Sequence, residues 1–289
     1  MYETQNLTDE IRSGQPGEIA QLSDGSVYYR LEGIEDGELV VLIHGMSIPS
    51  FVWDPTWEML VEEGFRVLRY DLFGRGYSDR PKVNYSIDFY VRQLFELLEA
   101  LELSGKKINL IGFSLGAAIC SAFTFEYADL VKKLCLIDPV HPVDMPAAPG
   151  KIWKALLRFK FLTVSLDQKV IDGLPNNFYR YEDFPDFEEQ FCEQLQFKGF
   201  AQAITSTLMD FDYSSLPEIY QHVGQLGIPS CLFWGEEDLL ADFETSAEIR
   251  KLIPAVQFHP IAEAGHLSHY ERPDLVNSLL LEFLQNEPN

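Results

Sequence analysis

A chain of 289 residues, 46% of them hydrophobic and with a full set of aromatics, is an ordered globular protein rather than a disordered one. Its length allows one large core, or one core carrying an inserted subdomain. A formal charge of −23 repels nucleic acid and anionic membrane surfaces, so neither is expected as a partner; the acidity reads first as solubility and only hints at a substrate that is neutral or cationic rather than polyanionic.

The opening stretch MYETQNLTDE is polar and acidic, with no basic segment leading into an apolar one, so no secretory signal is read. Apolar runs such as Leu39–Ile43 and Leu279–Leu281 are too short to cross a bilayer, and stable membrane insertion is not expected. Cys120, Cys135, Cys192 and Cys231 lack the spacing of a metal or redox motif. Three of them lie in apolar segments and read as small core hydrophobes. A cytoplasmic location is the expectation. A homodimer stays open.

Along the chain, short apolar runs alternate with helical patterns. Val27–Leu31, Leu39–Ile43, Phe65–Tyr70, Ile108–Phe113, Leu134–Ile137, Ser230–Trp234 and Val256–Ile261 read as strands. Most are nearly continuous in hydrophobicity, which suits strands covered on both faces. Ile87–Leu103, Leu115–Ala128, Phe243–Leu252 and Pro273–Gln285 read as helices. The alternation predicts an α/β fold with a doubly wound, mainly parallel sheet.

It breaks after the strand ending at Asp138. A proline-rich turn (Pro139, Pro142, Pro146, Pro149) leads into helical patterns at Lys151–Leu162 and Asp186–Met209 without a convincing strand. The expected organisation is a core of residues 1–138 and 227–289 with a helical cap of residues 139–226 inserted. Residues 151–213 hold nine of the 21 phenylalanines. Those rings either glue the cap to the sheet or line an apolar pocket beneath it, and one wall can do both.

The strongest chemical signal is Gly112-Phe113-Ser114-Leu115-Gly116, between a strand and a helix of small residues. A serine in so sharp a turn has its hydroxyl exposed above the sheet, and the flanking glycines permit the strained backbone. The N–H of Leu115 opens the helix, where the dipole favours a developing negative charge. A serine alcohol needs a base. His266, just after the last strand, is the preferred one and His269 the alternative; His141, His222 and His259 read as structural. Asp238, in the loop after Ser230–Trp234, is the preferred carboxylate to orient that base. Glu236, Glu237 and Asp138 compete, Asp138 reading rather as a turn-capping residue. A second backbone donor is expected from His44-Gly45-Met46-Ser47, at the N–H of Met46, with His44 as a packing residue.

With those motifs quoted, the sequence resembles the α/β-hydrolase superfamily from about Leu22 to the last helix. The matching stations are His44-Gly45, Asp71-Leu72-Phe73-Gly74-Arg75-Gly76-Tyr77-Ser78-Asp79, the turn at Ser114, Trp234-Gly235-Glu236-Glu237-Asp238 and Gly265-His266. The Asp71–Asp79 stretch reads as scaffold, a turn held by Arg75 and Ser78. Serine at the elbow argues against the relatives that use aspartate there, the epoxide hydrolases and haloalkane dehalogenases. The resemblance is to bacterial serine esterases and monoacylglycerol-lipase-like hydrolases.

It implies an ester hydrolase with catalytic Ser114, Asp238 and His266, oxyanion donors at the N–H groups of Met46 and Leu115, and no metal or organic cofactor; the aromatic-rich cap adds the expectation of a largely apolar acyl or aryl substrate. Carbon–carbon bond hydrolases of aromatic degradation and cofactor-free perhydrolases share the triad. A ligand-binding protein of the same fold with little turnover is the alternative from another class.

Overall fold

The apolar runs assemble into an eight-stranded sheet in the order β1-β2-β4-β3-β5-β6-β7-β8. The computed structural model describes residues 2–144 and 166–286. The strands are β1 Glu18–Leu22, β2 Gly25–Gly33, β3 Leu39–Ile43, β4 Arg66–Tyr70, β5 Ile108–Phe113, β6 Val131–Ile137, β7 Ser230–Gly235 and β8 Gln257–Ile261. The pairs β1/β2 and β2/β4 are antiparallel; from β4 to β8 every pair is parallel. The sheet is thus mainly parallel, as the alternation predicted.

The described helices are α1 Asp9–Ser13, α2 Asp54–Glu62, α3 Ile87–Ala100, α4 Leu115–Glu126, α5 Leu166–Asp172, α6 Phe187–Glu193, α7 Phe200–Asp210, α8 Leu216–Gln225, α9 Ser246–Leu252, α10 Ser268–Glu271 and α11 Pro273–Gln285. Successive residues of β3 serve opposite faces of the sheet. Val41 and Ile43 join a core with Leu94 and Leu97 of α3, Ala118 and Phe123 of α4 and Tyr220 of α8. Val40 and Leu42 join the other core with Trp57 of α2 and Leu280 of α11. Every residue of β3, β5 and β7 is buried. Each large aliphatic among them contributes roughly 1.5–3 kcal/mol. Because β3, β5, β6, β7 and β8 run parallel, the loops after all five emerge at one edge.

Several boundaries differ from the sequence reading. Strand β1 was not expected: only Ala20 and Leu22 of its five residues are buried, and it pairs along the outer side of β2. Helix α2, also not expected, carries Pro55 in its first turn and brings Trp57 and Leu60 to the core. The run Asp186–Met209 is not one helix. It divides into α6, a tight turn at Gln194–Gln196 and α7, with Gly199 at φ 106° before α7. The run Lys151–Leu162 lies outside the described residues. Helix α8 packs against α4 and α9 and belongs to the layer flanking the sheet.

The N-terminal segment reaches the inserted stretch. Glu3 N–H donates to Leu195 O at 2.6 Å, and a Glu3 carboxylate oxygen accepts the Ala201 N–H at 2.7 Å in the first turn of α7. Of the phenylalanines in this stretch, Phe178, Phe187, Phe191 and Phe200 are buried in the core that also holds Val40 and Leu42. They glue the insertion to the sheet domain. Among the described residues, no helix is long and apolar enough to cross a membrane.

Candidate active site

Ser114 stands between β5 and α4 at φ 56° and ψ −117°, a left-handed backbone that a side chain rarely adopts. Its N–H donates to Ile137 O at 2.9 Å, anchoring the turn to β6. The flanking glycines are required by close approach. A Cβ on Gly112 would lie 2.4 Å from Gly116 O, and one on Gly116 would lie 2.1 Å from Ile43 O. Helix α4 can therefore start directly against β3 and β5, and Ser114 is lifted to the loop edge of the sheet.

The loops after β7 and β8 meet it there. Ser114 Oγ lies 2.9 Å from His266 Nε2, and His266 Nδ1 lies 2.7 Å from Asp238 Oδ2. Asp238 is buried, whereas Glu236 and Glu237 in the same loop are exposed. Its Oδ1 accepts the N–H groups of Leu240 and Ala241 at 2.8 and 2.9 Å. A carboxylate so fixed accepts the Nδ1 proton of His266 and leaves Nε2 to accept from the serine hydroxyl. Ser114 and His266 are only 6% and 5% exposed, so the pair works in a poorly solvated setting.

The competing residues have other partners. Asp138, at the end of β6, accepts the Gly235 N–H at 2.8 Å on one oxygen and the Ser268 hydroxyl at 2.6 Å on the other. It is a cross-link between two loops rather than a turn cap. Burial, and then the charge of Asp238, push its pKa well above the usual carboxylate range. His269 is not on a helix surface; it is fully buried against Trp53 and Phe113, with ring centroids 4.4 and 4.8 Å away. Burial, with His266 adding to it, pushes its pKa down to about 3.

His44 packs inside the turn after β3. Its Nδ1–H donates to Gly45 O at 2.8 Å and its Nε2 accepts the Leu72 N–H at 2.9 Å. Burial pushes its pKa down to about 4 against the opposing pull of Asp71. His222 packs at a tilt against Phe125, and His259 stacks on Phe233. His141 is buried in the loop after β6.

A cavity of about 200 Å³ opens over Ser114 and His266, walled by Met46, Ile48, Phe113, Val140, Asn177 and Leu240 among others. Leu115 begins α4, so its N–H has no carbonyl acceptor within the helix. Met46 lines the same cavity from the loop after β3. Among the described residues no group of three or more His, Cys, Asp or Glu side chains is gathered as a metal site would need.

The family model described as the alpha/beta hydrolase fold matches residues 38–273. The chain belongs to the α/β-hydrolase family. A putative non-heme chloroperoxidase from Synechocystis is 27% identical over 277 residues, covering 90% of this chain and 95% of the relative. A 2-hydroxy-6-oxononadienedioate/2-hydroxy-6-oxononatrienedioate hydrolase from Pseudomonas putida is 25% identical over 297 residues, covering 95% and 98%. Among solved structures, the enol-lactonase from Burkholderia xenovorans superposes with a TM-score of 0.79 at 22% identity, covering 93% of this chain and 100% of the other.

Two residues of this α/β-hydrolase, Gln194 and Ser268, escaped the sequence reading, and a third was read only in part. Arg75 does more than hold its own turn, since its Nε donates to Met46 O at 2.7 Å. Gln194 donates to Ser47 O at 2.8 Å from the inserted stretch. Ser268 reaches Asp138. Nothing local marks a glutamine or a serine for such contacts.

Proposed function

We propose that this α/β-hydrolase is a serine esterase, a carboxylesterase or small lipase type of enzyme, that cleaves carboxylic esters through an acyl-enzyme on Ser114. The observation that carries the reading is the unbroken hydrogen-bonded line from Ser114 through His266 to Asp238. His266 takes the hydroxyl proton as Ser114 Oγ attacks the ester carbonyl. It then gives that proton to the departing alcohol. Water, activated by the same imidazole, attacks the acyl-enzyme, releases the acid and restores Ser114. Asp238 stabilises the imidazolium that forms in both halves.

The tetrahedral oxyanion is received by the N–H groups of Met46 and Leu115, each worth about 3–4 kcal/mol of transition-state stabilisation. The walls of the cavity favour an apolar acyl or aryl group of modest size. The described part of the stretch between β6 and α8, which lines this pocket through Val140 and Asn177, serves as its cap.

The likeness to the Synechocystis chloroperoxidase favours a second reading with the same residues. In it hydrogen peroxide, rather than water, attacks the acyl-enzyme and leaves as the peracid.

The test is labelling by a fluorophosphonate beside hydrolysis of p-nitrophenyl esters. Wild-type protein labels and turns over, and Ser114→Ala does neither while keeping its thermal transition. Absence of Ser114-dependent labelling would leave a ligand-binding protein of the fold. Peracid formation at the expense of hydrolysis, with peroxide present, would favour the second reading.

A further inference from the structure

Peptide units are planar, so a carbonyl held in place fixes the N–H across the same bond. In the loop after β3, three consecutive carbonyls are held by side chains. Gly45 O accepts from His44 Nδ1 at 2.8 Å, Met46 O from Arg75 Nε at 2.7 Å, and Ser47 O from Gln194 Nε2 at 2.8 Å. The first fixes the peptide that carries the Met46 N–H; the next two fix the chain that follows it.

The second and third of these supports run to the inserted stretch. Arg75 is fully buried, and its other donors go to Phe73 O at 2.9 Å, the Tyr90 hydroxyl at 2.6 Å and the Thr207 hydroxyl of α7 at 2.9 Å. These acceptors are neutral, so the guanidinium fork is oriented by dipoles. Thr207 donates its own proton to Ala203 O at 2.9 Å, which leaves its oxygen to accept from Arg75 and Tyr90. Gln194, 2% exposed in the turn before α7, also accepts the Gly76 N–H at 3.1 Å.

We propose that Arg75 and Gln194 are positioning residues that make the aim of the Met46 N–H depend on the docking of the Gln194–Gln196 turn and α7. This rests on the reading that the Met46 N–H receives the oxyanion. Lifting this part of the cap removes the acceptor of one Arg75 nitrogen and the donor to Ser47 O together. The loop then loses its support at Ser47 O outright, and Arg75, which holds Met46 O, loses one of its own anchors, so the site is competent only when the cap is seated.

The test uses the full-length chain with Thr207→Val, Gln194→Leu, both together, and Thr207→Ser, each checked for its thermal transition. Thr207→Val keeps the shape of the side chain but offers Arg75 and Tyr90 no oxygen. With a p-nitrophenyl ester, kcat is expected to fall roughly tenfold in each single variant and roughly a hundredfold in the double, towards the loss of a whole oxyanion donor. KM stays within about twofold, as for an interaction felt only in the transition state. Thr207→Ser restores kcat.

Selective 15N-methionine labelling, with five methionines in the chain, reports the Met46 amide without any substrate. Its resonance is expected to move in Thr207→Val and Gln194→Leu and to return in Thr207→Ser. Gln194→Leu reports independently should Thr207→Val not fold. Unchanged kcat with an unmoved Met46 resonance overturns the proposal, as does a rise in KM at constant kcat. Movement of the resonance in a protein without Ser114-dependent turnover supports the coupling while removing the esterase reading.

Discussion

Ser268 donates its hydroxyl to Asp138 over 2.6 Å, while the other oxygen of the same carboxyl accepts the Gly235 N–H. One buried group thereby ties the end of β6 to the loop that carries Asp238 and to the turn that carries His266. Asparagine can keep both contacts, its oxygen accepting from Gly235 and its nitrogen donating to Ser268. Alanine keeps neither and leaves buried polar groups unmet, at about 1–3 kcal/mol. Asp138→Asn is therefore expected to retain most activity, and Asp138→Ala to lose stability and turnover together.

The pH dependence has a definite sign. The folded pKa of Asp138 is raised above its ordinary 3.8, so the folded chain holds a proton that the unfolded chain releases. Stability from this group is present below about pH 4 and declines as pH rises, by up to about 1.4 kcal/mol per unit until the folded carboxyl ionises. Asp138→Asn has no such decline. Urea denaturation should show the variant gaining on wild type between pH 5 and pH 8; an equal difference at both would refute the account.

The buried histidines act in the opposite direction. The pKa values of His44 and His269 fall from 6.5 to about 4 and about 3. Below pH 6.5 the unfolded chain therefore binds protons that the folded chain refuses. Their contribution is full above pH 6.5 and is lost as pH falls, at up to about 1.4 kcal/mol per unit for each ring. Neither ring nitrogen of His269 has a hydrogen-bond partner among the described residues. His269→Leu should thus gain on wild type steadily from pH 6.5 down to about pH 4, read from urea midpoints. A constant difference would show that the ring is not excluded from protonation.

What could be read in the sequence is what is local. The turn at Ser114 is written within five residues by its strand, its glycines and its small-residue helix. Asp238 follows the buried apolar strand β7 and His266 the half-exposed β8, and their parallel order puts both ends at one edge. Strand β1 was not readable because its burial pattern is that of a half-exposed outer strand, poor in β-branched residues. The supports of the Met46 loop were equally hidden. Arg75 and Met46 are 29 residues apart and Gln194 and Ser47 are 147 apart, so neither pairing exists until the chain has folded. Phenylalanine enrichment in the insertion was visible, but composition does not say which way a ring points. Phe187, Phe191 and Phe200 went to the core.

Asp238 holds three donors, two from the backbone and one from His266. In Asp238→Asn the amide oxygen can still accept from Leu240 and Ala241, so the loop should stay in place. The amide nitrogen then faces Nδ1 of His266 with a proton of its own. That favours the tautomer with the proton on Nε2, where it cannot take one from Ser114. A loss of roughly 10³–10⁴ in kcat is expected, with KM and thermal stability nearly unchanged. Steady-state kinetics beside a melting curve check this, and a variant retaining a tenth of wild-type turnover would remove Asp238 from the mechanism.

Val140 offers the cleanest handle on acyl-chain selection. It lines the cavity over Ser114, and its carbonyl accepts the Tyr220 hydroxyl of α8 at 2.9 Å, which holds the backbone when the side chain changes. With a space of about 200 Å³ in the wild type, Val140→Ala should move the optimum among p-nitrophenyl esters to longer acyl chains. Val140→Phe should move it to shorter ones. Each added methylene that finds apolar wall is worth roughly 0.8 kcal/mol, about fourfold in kcat/KM, and the gain stops where the wall stops. The chain length at which kcat/KM levels off therefore measures the pocket in each variant. An identical optimum in all three proteins would mean that the acyl group lies elsewhere.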